Sequence, residues 1–372
     1  MAKGEIFRTT VDHFLGPVMP FLQDPSVAEI MINSASEIYI ERAGKLIRTE
    51  AQFEDEESLL AAVNNVLQFT GKRLTPDNPL VDSRLPDGSR VHVILPPLCR
   101  TGICMTIRKF AKIMLSADHL VELGSWTPEA MEYMRICVLA EKNVLVAGGT
   151  SSGKTSLLNV LSGFIPAHQR IVVIEDSAEL ELQQDHVISL EARHADRWGK
   201  GAVGISDLFR SSLRLRPDRI IIGEVRGGEA LDVIQAMTSG HAGSMTTLHA
   251  NSTMDAMNRL ETLALMSKIE LPLHALRAQV ASAIDVVVQM NRFNDGRRVI
   301  TQLSEVQPLS DDGRYRLQDM FLYELGKSEG GKGGRGEVAW TGKLSTFAAE
   351  PKMRMTRDQW NLTKRVFSAD GK

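Results

Sequence analysis

The chain has 372 residues, which is too long for one small hydrophobic core and favours two domains. It is 43% hydrophobic and 24% charged with a net charge of -3, an ordinary globular composition without the basic field that would attract nucleic acid. No apolar stretch is long enough to span a bilayer and charged residues interrupt the N-terminus, so we expect a cytoplasmic protein that reaches membranes only through partners.

The first predicted domain covers residues 1–111 and mixes helices with strands. An amphipathic helix is predicted within residues 5–24, and residues 37–48 have the pattern of a β-hairpin with Gly44 in its turn. Residues 56–70 are predicted to form a helix, because apolar side chains recur there on one face. This order of elements indicates a small α/β domain.

Two later strands of this domain each carry an arginine on a polar face. Residues 90–95 and 103–108 alternate between polar and apolar side chains, so Arg90 shares the polar face of its strand with His92. Arg108 lies on the polar face of the next strand for the same reason. From this spacing alone, a solvated sheet face is favoured over an anion-binding site.

The second predicted domain, residues 126–372, follows a connector at 112–125. The apolar run at 143–148 predicts a buried strand, and residues 156–161 predict a helix. A glycine-rich turn joins them, and strand, turn and helix together are the context that a phosphate loop requires.

The turn fits the phosphate-loop pattern of a glycine, four residues, a glycine, a lysine and a serine or threonine. Glycines let backbone N–H groups approach phosphate oxygens, and the helix start adds its positive dipole end. Lys154 can reach the β- and γ-phosphates, and the Thr155 hydroxyl can coordinate Mg²⁺. The residues predicted to bind the phosphates are Gly148, Gly149, Thr150, Ser151, Ser152, Gly153, Lys154, Thr155 and Ser156.

Carboxylates follow two further apolar strands. The strand predicted at 171–176 ends in two of them, with Glu179 just beyond, and the strand at 220–222 is followed by Glu224. Because ligand chemistry collects at the carboxyl ends of strands, these groups can hold a Mg²⁺-bound water or accept a proton from attacking water. Beside a phosphate loop we favour this function over helix capping by Asp176.

The rest of the pattern alternates strands with helices and predicts a mostly parallel sheet covered by helices on both faces. A strand within 241–249 has a histidine at each end, His241 and His249. As isolated residues these two are better explained as polar structural groups than as catalysts. Residues 326–336 are rich in glycine and are expected to form a flexible, disordered loop.

Four motifs in chain order resemble those of the secretion ATPase superfamily of type II and type IV systems and type IV pili. They are a Walker A motif at 148–155, an Asp box at 174–180, an extended Walker B motif at 213–230 and a His box at 240–252. Two further stretches, 82–91 and 106–110, resemble the CpaF/TadA family, the motors of tight-adherence (Flp) pili.

The resemblance implies a RecA-like P-loop NTPase domain of α/β fold, preceded by the smaller α/β domain. It implies a homo-hexameric ring that uses ATP and Mg²⁺ and works with inner-membrane pilus platform proteins. It also implies roles for single residues: Glu179 activates water, Thr155 and Glu224 handle Mg²⁺, and His241 and His249 sense nucleotide state.

The resemblance further implies that the first domain contributes to the nucleotide site. Arg84, Arg90 and Arg108 match arginines that reach the phosphates from that domain. One departure is Ser151, which stands where glycine is usual. Phosphate binding should survive this change if Ser151 avoids positive φ.

The sequence therefore predicts a motor that converts MgATP hydrolysis into domain rotation and drives assembly or retraction of a type IV (Tad/Flp) pilus. Two alternatives stay open. A traffic ATPase of a conjugative type IV secretion system has nearly the same motifs. A nucleotide-gated assembly protein would bind ATP and scarcely hydrolyse it, although Glu179 and Glu224 argue against this alternative.

Overall fold

The computed structural model describes residues 10–75, 79–109, 115–193, 195, 199–326, 334–357 and 361–368. The chain separates into two compact units, Met1–Met114 and Leu115–Lys372. Within the predicted connector, residues 117–122 form a helix of the second unit, whose Leu120 lies in the hydrophobic core.

The first unit contains a six-stranded antiparallel sheet in the order β3-β2-β1-β6-β5-β4. Its strands are β1 Val27–Ser34, β2 Glu37–Arg42, β3 Lys45–Arg48, β4 Leu80–Arg84, β5 Arg90–Ile94 and β6 Cys104–Arg108. Its helices are Met19–Gln23 and Glu56–Phe69, with a 3-10 helix at Gly16–Val18 and helical residues at 10–14.

Local sequence explains the main elements of this unit. Asp55 caps the helix Glu56–Phe69, since its carboxylate accepts a 2.7 Å hydrogen bond from the Ser58 N–H. The predicted helix and the predicted β2–β3 hairpin are both confirmed. Ala43 and Gly44 both have positive φ in the hairpin turn, as such two-residue connections require.

The second unit contains a nine-stranded mixed sheet in the order β15-β14-β13-β12-β7-β11-β10-β8-β9. Its strands are β7 Val144–Gly148, β8 Ile171–Glu175, β9 Val187–Glu191, β10 Arg219–Ile222, β11 Met245–Leu248, β12 Val286–Arg292, β13 Arg298–Gln307, β14 Arg316–Gly326 and β15 Gly334–Trp340. Its helices are Ala117–Glu122, Pro128–Leu139, Lys154–Ser162, Ile205–Ser212, Glu229–Thr238, Thr253–Leu265, Leu273–Ala283, Pro351–Arg357 and Lys364–Phe367, with a 3-10 helix at Thr346–Ala349.

Strand pairs from β9 through β12 are parallel, and those from β12 through β15 are antiparallel. The α/β fold with a mostly parallel sheet is thus confirmed, while the antiparallel extension β13–β15 was not predicted. Strand β7 shows why helices cover both faces: Val144 and Val146 enter one hydrophobic cluster, and Leu145 and Ala147 enter the other.

Strands β14 and β15 extend into the segment 326–336 that was predicted as a flexible loop: residues 326 and 334–336 belong to these strands, with Gly326 opposite Gly334, so the prediction is wrong at those positions. Residues 327–333, and with them the expectation of disorder there, lie outside the described residues. Among the residues that the structure describes, no helix has the length and apolarity needed to cross a membrane.

Candidate active site

The phosphate loop leaves the buried central strand β7, which lies between β11 and β12, and leads into the helix Lys154–Ser162. Close packing requires glycine at its first position. A Cβ on Gly148 would lie 2.4 Å from Ser152 Oγ and 2.5 Å from the Met290 carbonyl oxygen. Gly153, with φ +96°, starts the helix and directs its N-terminus toward the loop.

The side chain of Lys154 closes the loop on itself. It is buried, and its ammonium donates hydrogen bonds of 3.1 and 3.0 Å to the carbonyl oxygens of Gly148 and Gly149. The outer positions of the loop, by contrast, are exposed: Gly149, Thr150 and Ser156 face solvent. The loop therefore holds a positively charged side chain in place and is open to solvent beside it, as phosphate binding requires.

The structure does not meet the condition set for Ser151. Its φ is +57°, in the left-handed region where a residue with a side chain is strained. The Ser151 carbonyl oxygen accepts a 3.0 Å hydrogen bond from Arg298 Nε, a residue that the sequence analysis did not single out. The contact between Arg298 and Ser151 depends on the β12–β13 hairpin, which contains none of the sequence motifs.

The first acidic strand end contains one carboxylate that holds the turn and another that faces the loop. Glu175 is buried, and its Oε1 accepts hydrogen bonds from the N–H groups of Glu179 and Leu180, at 2.9 and 3.1 Å. Glu179 in turn accepts a 3.3 Å hydrogen bond from the Thr155 hydroxyl. Glu175 thus positions the turn, and Glu179 is the carboxylate next to the phosphate-loop threonine.

The second acidic strand end, after β10, meets the end of β11. Thr247 joins the two strands, since its hydroxyl donates to the Gly223 carbonyl oxygen at 2.7 Å. Glu224 Oε1 is 3.0 Å from His249 Nε2, without the alignment of a hydrogen bond. His249 Nδ1 is 3.4 Å from the ammonium of Lys154. Glu224, His249 and Lys154 therefore form one continuous set of contacts.

Arg226 binds the carboxylates of both strand ends and was not assigned a role from the sequence. Its guanidinium donates to Glu224 at 2.9 Å and lies 3.8 Å from Asp176. Burial alone would raise the pKa of Glu224, but the hydrogen bond from Arg226 and the nearby positive charges lower it overall. Glu224 therefore stays ionised.

The two predicted histidines lie apart. His249 follows the carboxyl end of β11, and its pKa is lowered by burial and then by the charge of Lys154, so the neutral ring is favoured. His241 precedes the amino end of that strand, at the edge of the parallel sheet opposite the phosphate loop. Its Nδ1 is buried, with no hydrogen-bond partner among the described residues. A direct contact of His241 with the phosphates does not fit this position.

The three predicted arginines of the first unit form one cross-strand row. Arg84 pairs with Arg90, Arg90 pairs with Arg108, and Arg108 pairs with Glu29 on β1. Arg90 and His92 do share the polar face, as predicted, and His92 is exposed. The row therefore holds three arginines in consecutive register positions and continues through two carboxylates, Glu29 and Glu41.

The oxygen donors of the second unit fit Mg²⁺ only in a shared site. Among the described residues, no group of three or more histidine, cysteine, aspartate or glutamate side chains is placed to hold a metal ion. The Thr155 hydroxyl and the Glu224 carboxylate are the hard oxygen ligands that Mg²⁺ prefers when phosphates and water complete its octahedron. They fit a metal that arrives with a nucleotide.

Comparison with known proteins places these features in a family. Residues 12–310 match the family model described as type II/IV secretion system protein. A Mycobacterium tuberculosis protein whose name refers to conjugal transfer is 30% identical over 320 residues, which is 84% of this chain and 90% of that protein. The type IV secretion system protein PtlH of Bordetella pertussis is 36% identical over 312 residues, 77% of this chain and 91% of PtlH.

A solved structure shows the same fold at lower identity. The pilus retraction motor PilT with bound ADP aligns with a TM-score of 0.56 and 15% identity, over 95% of this chain and 89% of PilT. At this identity the likeness shows the fold alone: an N-terminal domain followed by a RecA-like ATPase domain.

Proposed function

Since this chain belongs to the family of type II/IV secretion system proteins and is an ATPase, we propose that it hydrolyses MgATP at the phosphate loop to drive a membrane-associated pilus or secretion machine. One observation carries the proposal. Lys154, Glu224 and His249 come from three separate motifs and contact one another beside the loop, while Thr155 contacts Glu179 from a fourth.

Phosphate binding rearranges the loop lysine. Lys154 exchanges the carbonyl oxygens of Gly148 and Gly149 for the β- and γ-phosphates, and its charge stabilises the transferring phosphoryl group. The loop N–H groups and the helix N-terminus hold the remaining oxygens. Thr155 and Glu224 would hold Mg²⁺ through the nucleotide and water, and the metal would supply charge neutralisation at the phosphates.

Glu179 is the residue that orients and activates the attacking water. Its carboxylate is on the Thr155 side of the loop, within 3.3 Å of that hydroxyl. Glu175 supports this role of Glu179, because the Glu175 carboxylate accepts a hydrogen bond from the Glu179 N–H. That bond fixes the backbone from which the Glu179 side chain reaches the loop. Hydrolysis then needs no covalent chemistry from the protein, only positioning and charge stabilisation.

Arg84, Arg90 and Arg108 complete the phosphate site from the first unit in this proposal. Their register places three arginines side by side on one sheet face, and a guanidinium is a good hydrogen-bond donor to phosphate oxygens. A homo-hexameric ring transmits the motion driven by nucleotide turnover to inner-membrane platform proteins. His249 senses the nucleotide state through its contacts with Lys154 and Glu224. His241 contributes to the same coupling from the opposite end of strand β11, without contacting the phosphates.

The work that we assign is assembly or retraction of a tight-adherence (Tad/Flp) type IV pilus, on the resemblance of residues 82–91 and 106–110 to CpaF/TadA motors. Traffic in a conjugative type IV secretion system is the second candidate. The names of the relatives from M. tuberculosis and B. pertussis favour it. Neighbouring genes for prepilin and prepilin peptidase would support the pilus, and mating-pair genes would support conjugation.

A phosphate-release assay with purified protein tests the enzymatic core of the proposal. We expect Mg²⁺-dependent release of phosphate from ATP that requires Lys154. Tight ATP binding without turnover would instead support a nucleotide-gated assembly protein, and would contradict the roles given to Glu179 and Glu224.

A further inference from the structure

The phosphate loop contains one residue whose backbone conformation its side chain disfavours. Ser151 has φ +57°, where a Cβ is crowded against the backbone. The carbonyl oxygen of the same residue accepts a 3.0 Å hydrogen bond from Arg298 Nε. Resting on ATP binding as proposed above, we propose that Arg298 is a positioning residue that holds Ser151 in the conformation the phosphates require.

The position of Arg298 in the sheet fixes its backbone. It is the first residue of β13, in a hairpin with β12, which is hydrogen-bonded to the phosphate-loop strand β7. The Arg298 carbonyl oxygen accepts a 2.8 Å hydrogen bond from the Ser125 hydroxyl. The backbone of Arg298 is therefore held by the sheet on one side and by Ser125 on the other.

The side chain of Arg298 passes along the loop before it reaches Ser151. A Cβ on Gly153 would lie 3.2 Å from Arg298 Cδ and 3.7 Å from its Cβ. The aliphatic stem thus packs against Gly153, and the guanidinium reaches two residues back to the strained peptide. Such a bond between a cationic donor and a carbonyl is stronger than one between neutral groups.

Serine and arginine form a coupled pair in this arrangement. Glycine adopts positive φ without steric cost, so a loop with glycine at position 151 does not depend on an external hydrogen bond. Ser151 makes the loop depend on one, and Arg298 supplies it. The effect of removing Arg298 must therefore be larger with serine than with glycine at position 151.

A double-mutant cycle on the full chain tests this coupling. ATP affinity is measured by titration, and kcat and KM by phosphate release, for wild type, Arg298→Met, Ser151→Gly and the double variant. We expect Arg298→Met to weaken ATP affinity about tenfold with serine at position 151, the scale of a lost hydrogen bond from a charged group. With glycine there, the same change should cost less than about threefold.

The predicted loss falls on KM more than on kcat, because Arg298 acts on the loop through the Ser151 carbonyl oxygen. Arg298→Lys should restore part of the affinity, since an ammonium can still reach the Ser151 oxygen. Arg297→Met is the matched control: Arg297 is the preceding residue, and its Nε is 2.6 Å from the Asp295 carboxylate instead. We expect wild-type affinity from it.

Equal losses of affinity in the serine and glycine backgrounds would overturn the proposal, because Arg298 would then act through its charge alone. No loss in either background would overturn it as well. The affinity measurement also separates this result from the proposed ATPase activity. Wild-type protein that binds ATP without releasing phosphate would contradict hydrolysis, yet the cycle of affinities would still decide the role of Arg298.

Discussion

The site of the second unit and the arginine row of the first unit distribute charge differently. Around the phosphate loop, one continuous set of contacts joins Lys154 to the neutral ring of His249, His249 to the Glu224 carboxylate, and Glu224 to the Arg226 guanidinium. On the sheet of the first unit, three arginines follow one another before Glu29 continues the row. The first arrangement joins unlike groups within one site, whereas the second places three arginines in consecutive register positions before two carboxylates, Glu29 and Glu41.

This contrast separates two kinds of contribution to catalysis. Lys154 of the second unit should be needed for ATP binding and chemistry together, since its contacts with Gly148 and Gly149 define the loop itself. Arginines of the first unit should affect hydrolysis without affecting the fold of either unit.

Removing Lys154 should produce the largest loss. The Lys154→Ala variant loses the only loop cation that bonds Gly148 and Gly149 among the described residues. We expect phosphate release to fall by about three orders of magnitude, the range for losing a preorganised transition-state donor. Lys343→Ala, which changes an exposed lysine of the same unit, should match wild type. Near-normal turnover in Lys154→Ala would remove the phosphate loop from the mechanism.

The two carboxylates after β8 provide the next test, because they differ in burial and partners. Glu179→Gln should retain ATP binding and lose hydrolysis by about two orders of magnitude, as expected for a lost general base. Glu175→Gln keeps an oxygen that can accept from the N–H groups of Glu179 and Leu180, so hydrolysis should fall by less than about tenfold. Turnover that stops in Glu175→Gln alone would show that Glu179 is the wrong carboxylate.

The arginine row should respond more weakly, and in activity alone. We expect Arg90→Gln and Arg108→Gln each to lower hydrolysis by about tenfold to a hundredfold, through lost phosphate stabilisation. The melting temperature should change little, because relieving like-charge repulsion offsets lost contacts. His92→Gln is the control, on the same polar face of β5 and opposite Thr106. An arginine variant that unfolds, yet hydrolyses normally per folded molecule, would return the row to a solvated surface.

Sequence predicted the parts of the fold and site that are contiguous along the chain. The phosphate loop is recognisable from the sequence because its glycines, Lys154 and Thr155 fall within the eight consecutive positions 148–155, between a predicted strand and a predicted helix. The polar face of β5 follows from period two. Contacts across the chain were not readable in the same way. Arg298 is 147 positions from Ser151, and only the hairpin of β12 with β13 brings them together.

The histidines show the same limit at shorter range. A motif that names both His241 and His249 does not reveal that a parallel strand separates them onto opposite sheet edges. The antiparallel strands β13–β15 were missed because β13 is buried on both faces over much of its length and shows no clear alternation. Sequence patterns report local periodicity, whereas these features depend on tertiary packing.

The smallest expected effect is the pH dependence of folding stability that His249 contributes. The pKa of His249 lies below its usual 6.5, first because of burial and then because of Lys154. The unfolded chain therefore binds more protons than the folded protein in the window just below pH 6.5. Stability from this group is complete above that window and is lost as the pH falls through it.

Melting temperatures recorded between pH 7.5 and pH 5 test this balance. Wild type should lose more stability on acidification than His249→Gln, which has no proton to take up at this position. Lys154→Ala should also lose less than wild type, because it removes a charge that lowers the His249 pKa. If all three proteins share one pH profile, His249 is not coupled to Lys154, and the charge of Lys154 does not set the protonation of His249.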